Sequence, residues 1–175
     1  VVFTSDYGYH MGEHGHWQKQ TLFNNATKVP LIINVPGKDY ISKISNSPVE
    51  LIDIFPTLID LTNIISPSHV VGESLKPIIE NKSSDVRKSA LTRWRNGYSI
   101  RTERFRLTKW DINGDFQYEL YDHKIDEEEL NNLALDSSYS LIRDSLIKTI
   151  NRRIIQADMK PEGLGRQIEN VKPTP

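Results

Sequence analysis

The sequence predicts an α/β chain in two parts, and three observations predict it. An apolar run, Val1-Val2-Phe3, stops at a carboxylate and a glycine-bearing turn, Asp6-Tyr7-Gly8. A second apolar run over residues 29–35 stops at Pro36-Gly37. From residue 89 the texture changes to short alternating runs separated by turn residues, followed by one apolar stripe at helical spacing. The first two observations predict neighbouring buried strands of one sheet. The third predicts a small α+β layer with a four-stranded antiparallel sheet and a C-terminal helix.

Residues 1–4 read as a strand, and the loop to about residue 20 follows it. Residues 20–26 fit a turn or short helix, and 29–35 a second buried strand. A polar connection fills 38–46. Ser47, Pro48 and Glu50 have the order of an N-cap, a first helical position and a capping-box acid. Leu51, Ile54, Phe55, Leu58 and Leu61 then recur at helical spacing and predict a core face, which Pro56 should kink or split. Residues 66–80 are loop-like, and 81–88 are polar. Four strands are expected at 90–94, 98–102, 105–110 and 117–121, with turns at Asn96-Gly97, Thr102-Glu103-Arg104 and Asn113-Gly114. A helix over 138–157, capped from Asp136-Ser137-Ser138, carries Leu141, Leu146, Ile150 and Ile154 on one stripe. The expected divisions are 1–85, 86–158 and a tail at 159–175.

Composition narrows the function classes. The 22 basic and 23 acidic residues leave a net charge of −1, so there is no electrostatic footprint for nucleic acid. No apolar run has the length of a membrane span. With no Cys, the chain has no disulfide and no thiolate zinc site. Asn25-Ala26-Thr27 and Asn81-Lys82-Ser83 fit the glycosylation sequon.

The chemistry concentrates between Asp6 and Lys19. Ligands gather at the carboxyl ends of strands in open α/β sheets, and Asp6 stands there with a hard oxygen donor. Lys19 is a mobile positive charge suited to an oxyanion. His14 can exchange a proton near neutral pH, while Gly8, Gly12 and Gly15 let the backbone turn. An Asp after a strand also caps turns, and a lysine is also a solvated surface group, so spacing alone leaves both readings standing. Three histidines within seven residues, His10, His14 and His16, also fit zinc.

Thr4-Ser5-Asp6-Tyr7-Gly8, Gly12-Glu13-His14-Gly15, Trp17-Gln18-Lys19 and Ala26-Thr27-Lys28-Val29-Pro30-Leu31 resemble the sulfatase family, and within it the iduronate-2-sulfatase branch. The resemblance continues through Ser47-Pro48-Val49-Glu50, Gly72-Glu73-Ser74-Leu75-Lys76-Pro77, Gly97-Tyr98-Ser99-Ile100-Arg101-Thr102 and Glu119-Leu120-Tyr121-Asp122. It implies that residues 1–85 are the C-terminal end of an alkaline phosphatase-like mixed-sheet domain. It implies hydrolysis of a sulfate ester on a sulfated carbohydrate, a divalent cation such as Ca²⁺, and a formylglycine nucleophile. It aligns Asp6 with a metal ligand and Lys19 with a sulfate contact, and places Tyr7 at the neighbouring metal or sulfate position; His14, in the Gly-Glu-His-Gly turn, is a catalytic candidate that reads equally as a structural hydrogen-bonding residue or a substrate contact. Tyr9, His10 and His16 fall in the loop where substrate selection would occur, and Trp17 is expected to pack beside the site.

Tyr7 departs from the Asn or His usual in the family, and a phenol is a poor ligand for a hard cation. A neighbouring phosphonate or phosphodiester hydrolase shares the same metal and anion architecture. A non-catalytic glycan-binding module is the remaining alternative. The Cys/Ser-x-Pro-x-Arg motif that yields formylglycine is absent here. The expectation is therefore a C-terminal portion that works with an N-terminal catalytic region. The resemblance implies a periplasmic, secreted or lysosomal setting, which the residues themselves do not fix. Trp94, Tyr98, Arg101, Arg104 and Arg106 could be read as a sugar-binding surface, but cross-strand packing is the favoured reading.

Overall fold

The computed structural model describes residues 1–37 and 44–159. Part of the polar connection expected at 38–46, and all but the first residue of the expected tail, lie outside the described residues. The chain is mixed α/β, with a four-stranded antiparallel sheet and a C-terminal helix, as the sequence predicts. No helix among the described residues is long and apolar enough to cross a membrane.

β1 (Val2–Thr4) and β4 (Leu31–Ile33) pair antiparallel, with Phe3 opposite Ile32. The two runs share a sheet as expected, but they are not buried on both sides. Phe3 and Ile32 are each 60% exposed, so one face of the ribbon is bare. Between these strands lie the small hairpin of β2 (His10–Met11) and β3 (Trp17–Gln18), and the one-turn helix α1 (Asn24–Thr27).

The helix near residue 50 starts later than its sequence suggests. A 3₁₀ turn at Leu51–Asp53 leads into α2 (Ile54–Leu61), and the capping box is formed by Glu50 and Asp53 rather than by Ser47. Pro56 neither kinks nor splits α2. It sits in the first turn, where a backbone N–H has no helical partner to lose. The buried face is also not the apolar stripe. Asp53, Pro56, Thr57 and Ile59 are buried, whereas Leu51, Phe55 and Leu58 are exposed.

Polar chemistry explains this choice of face. Asp53 accepts from the Glu50 N–H at 2.8 Å and the Glu73 N–H at 2.8 Å, and it pairs with Arg87. Arg87 also reaches Glu50 at 2.8 Å, and Glu50 in turn accepts from Arg153 at 2.5 Å and from the Leu91 N–H at 2.7 Å. Thr57 Oγ1 accepts from the Leu75 N–H at 2.8 Å, which ties α2 to the segment leading into α3 (Lys76–Ile79). Buried charges need such partners, and at these positions the partners lie on the face that Asp53 and Thr57 turn inward.

The main sheet runs in the order β5 (Ala90–Trp94), β6 (Gly97–Arg101), β7 (Phe105–Ile112), β8 (Asp115–Asp122). The first hairpin turns at residues 95–96, one position before the expected Asn96-Gly97, so that Gly97 pairs with Trp94. Gly97 is required for a different reason: a Cβ there would lie 2.5 Å from the Trp110 ring.

Both faces of the sheet are covered. One face packs Ile100, Leu107 and Leu120 against Leu146 and Ile150 of α4 (Ser140–Asp158), helped by Ile142, Ile147 and Ile154. The stripe is thus entered through Ile142; the expected Leu141 is 85% exposed. A 3₁₀ turn at Ser137–Tyr139, capped by the Asp136 side chain, precedes α4.

The opposite face is polar yet closed. Arg106 and Glu129 are both buried, and the Arg106 Nε donates to Glu129 Oε1 at 2.5 Å. Arg106 also reaches Ser99 Oγ at 3.1 Å, Asn24 Oδ1 at 3.2 Å and Thr27 Oγ1 at 3.0 Å. The other Glu129 oxygen accepts from the Asn24 N–H at 2.8 Å, and His123 Nε2 lies 2.6 Å from Oε1. Burial pushes the Glu129 carboxyl up, but His123, Arg106 and the Asn24 amide outweigh it and hold it below the usual carboxylate range. The other arginines of the sheet are structural as well. Arg104 holds Asp122 at 2.8 and 2.5 Å, and Arg93 lies over the Tyr98 ring. Burial pulls Arg101 down to about 10.

Replacing Arg106 with Met should leave the buried Glu129 carboxylate without its arginine, faced only by the His123 ring and the Asn24 amide. A loss of about 3–5 kcal/mol of stability is expected, read by urea denaturation, together with faster hydrogen exchange at the Asn24 amide.

Candidate active site

The loop between β1 and α1 is built outward from a tight backbone crossing. The Gly8 N–H donates to the Ala26 carbonyl at 2.8 Å, and a Cβ on Gly8 would fall 1.9 Å from the Asn25 carbonyl oxygen. Only glycine fits there. Ser5 Oγ donates to the Tyr7 carbonyl at 2.8 Å, which fixes the residues on either side of Asp6. Since α1 is itself bolted to Arg106 and Glu129, the crossing transfers the rigidity of the sheet to the loop.

The three loop histidines occupy different environments. His10 is fully buried, and its Nε2 meets Thr21 Oγ1 at 2.7 Å. His14 stacks flat on Phe23, with ring centroids 3.9 Å apart, and Phe23 in turn lies 6.1 Å from the Tyr121 ring of β8. His16 is exposed, with its ring 5.9 Å from that of His10. Among the described residues no three of His, Asp or Glu converge into a group that could hold a metal ion. The zinc reading therefore finds no cluster in the described residues. Burial, followed by the charges of His14 and His16, pushes the His10 ring below its ordinary value, against an opposing pull from Glu13.

Asp6 and Lys19, the two residues with the clearest chemistry, lie exposed on the same held loop. Tyr7 is exposed too, and the Lys19 ammonium sits 3.4 Å above its ring centroid. Tyr9 is exposed. Trp17, expected to pack beside the site, is instead 68% exposed. His10 is placed in the packing beneath the loop and not on its surface. The Asp6 carboxylate offers one or two oxygen donors, and a calcium ion takes six to eight. The described residues alone would give such an ion no more than part of its shell. The sequence marks Arg106 as a packing residue, but its pairing with Glu129, and Glu129 itself, escaped the sequence reading. The available signal was a charged residue between the apolar Phe105 and Leu107 inside a strand.

Residues 12–156 match the family described as N-sulphoglucosamine sulphohydrolase, C-terminal. The chain belongs to the sulfatase family. It is 31% identical over 162 residues to an N-acetylglucosamine-6-O-sulfatase of Bacteroides thetaiotaomicron, covering 86% of this chain and 29% of that one. A protein solved in complex with its substrate D-glucosamine-2-N,6-O-disulfate superposes with a TM-score of 0.74 at 28% identity, covering 94% of this chain and 36% of that one. A phosphonate monoester hydrolase of Agrobacterium radiobacter superposes with a TM-score of 0.73 at 26% identity, covering 89% and 35%. The chain spans about a third of the length of the curated relatives it matches.

Because folding disfavours the protonated His10 ring, the unfolded chain binds more protons at low pH. The contribution of His10 to stability should be complete above the ordinary imidazole value of about 6.5 and fall away as pH drops below it. Urea midpoints measured on both sides of that pH should show the loss. A His10→Gln variant should show a smaller one.

Proposed function

We propose that the chain is the C-terminal part of a sulfuric ester hydrolase acting on a sulfated sugar, and that it brings Asp6 and Lys19 to the reaction centre. The observation that carries this reading is their placement. A carboxylate and an ammonium stand exposed on one loop that Gly8, α1 and the Arg106–Glu129 pair hold rigid, in a chain of the sulfatase family. The relative bound to a glucosamine disulfate supports a sugar as the group carrying the ester. The motifs that resemble the iduronate-2-sulfatase branch and the likeness to an N-acetylglucosamine-6-O-sulfatase both support a sugar sulfate, while differing on the sugar. We take the sugar-sulfate class as the conclusion.

Lys19 donates from its ammonium to the sulfuryl oxygens, where negative charge builds as the ester bond breaks. Asp6 contributes an oxygen to a divalent cation, in our reading calcium, with the other ligands on the N-terminal catalytic region. A bound cation of this kind supplies charge that holds and polarises sulfate oxygens. His14, braced on Phe23, is the candidate proton donor of the loop, and Tyr9 the candidate sugar contact. The formylglycine nucleophile belongs to the same N-terminal region. The bare Phe3–Ile32 face and the exposed Leu51, Phe55 and Leu58 are apolar surfaces of the kind such a region would cover.

The test is turnover by the protein that includes the upstream coding sequence. Release of sulfate from sulfated sugars is expected, and Lys19→Ala should lower kcat/KM by about 10²–10³-fold, the usual size for one charge-stabilising donor. Asp6→Ala should weaken calcium binding, measured by calorimetry, by more than the roughly tenfold that outer-shell losses begin at. Faster turnover of phosphonate esters than of sulfate esters would favour the second reading, for which the Agrobacterium radiobacter likeness speaks. Micromolar binding of a sulfated oligosaccharide by this chain without metal would favour a binding module.

A further inference from the structure

We propose that Tyr7 is the seat of Lys19: a positioning residue that holds the ammonium by its aromatic face and is not itself a metal ligand. This rests on the reading of Lys19 as a sulfate contact and extends it. The observation is the ammonium 3.4 Å from the Tyr7 ring centroid. A cation over a ring face is drawn to the negative side of the ring quadrupole.

The backbone on both sides is fixed, so the contact does not depend on a chance meeting of two loose chains. Tyr7 lies between the Ser5 hydroxyl, which donates to its carbonyl at 2.8 Å, and the Gly8 N–H, which donates to Ala26 at 2.8 Å. Lys19 follows Gln18, which pairs with His10 in the small hairpin and adopts a φ of 72°. The Lys19 carbonyl accepts from the Thr21 N–H at 2.9 Å. Among the described residues no carboxylate forms an ion pair with Lys19, so the ring is its partner.

The chemistry suits an anion site. A carboxylate partner would cancel the lysine charge and compete with sulfate for its protons. An aromatic face does neither. It restrains a side chain that would otherwise sample many rotamers, and it leaves N–H donors of the ammonium on the side away from the ring free for sulfate oxygens. The phenol oxygen, a poor ligand for a hard cation, has no part in this role.

The test has two arms and three variants. In this chain, Lys19 Hε resonances should be displaced upfield by the ring current of Tyr7. The displacement should persist in Tyr7→Phe and vanish in Tyr7→Leu. Equal Lys19 shifts in the native chain and in Tyr7→Leu would overturn the contact without touching the sulfatase reading. In the protein that includes the upstream region, Tyr7→Leu should raise KM for a sulfate ester by about two- to fivefold, the size of an exposed cation–π contact. Tyr7→Phe should restore it and should bind calcium as the native protein does. A Phe variant as impaired as the Leu variant, in KM or in calcium affinity, would show that the hydroxyl acts and would overturn the proposal. Tyr7→Asn, which restores the residue type usual in the family, should lose the ring-current shift and the KM advantage together. Absence of sulfate-ester turnover in the native protein would sink the function and the positioning role with it, while leaving the resonance result to stand for the contact alone.

Discussion

A single buried charge pair organises this molecule. Arg106 and Glu129 sit on the polar face of the main sheet, and between them they engage Ser99, His123, Asn24 and Thr27. Two buried ions are costly unless every lone pair and proton is used, and here the α1 backbone supplies part of what they need. The sheet cannot satisfy its own charges without α1, and α1 is too short to exist without the sheet. Each makes the other possible.

The consequence is a sheet with unlike coverings. Ile100, Leu107 and Leu120 meet a helix through ordinary apolar packing. The alternate residues of the same strands meet a loop through hydrogen bonds and charge. A second polar knot, made of Glu50, Asp53, Arg87 and Arg153, joins α2 to the start of β5 and to α4. The exposed Asp6, Tyr7 and Lys19 thus stand on a short loop whose foundations are spread over most of the chain.

Much of the architecture was legible because it follows simple periods. Residues 90–122 alternate, and the strands appear where alternation predicts them. The last helix appears where its stripe does, with the stripe displaced to Ile142. Reading failed where polar groups were buried. Around residue 53 the apolar stripe named the wrong face of the helix, because Asp53 and Thr57 have partners at Glu73, Leu75 and Arg87 that no local pattern reveals. The same holds at the site. Asp6 and Lys19 stood out by residue type and spacing, but the ring beneath Lys19 depends on how the loop folds back, and the pair beneath α1 on contacts across the fold. Gly97 was read as a turn residue, whereas the Trp110 ring sets its identity from another strand.

The distances along the chain between these partners also set an order of events. Asn24 and Thr27 meet residues 79 to 105 positions further on. Joining such distant points costs entropy that only a formed sheet can repay. A chain leaving the ribosome therefore carries the loop between β1 and α1 unheld until β7 and the Glu129 turn have emerged and paired. Within this segment, the loop bearing Asp6 and Lys19 is made before the residues that hold it.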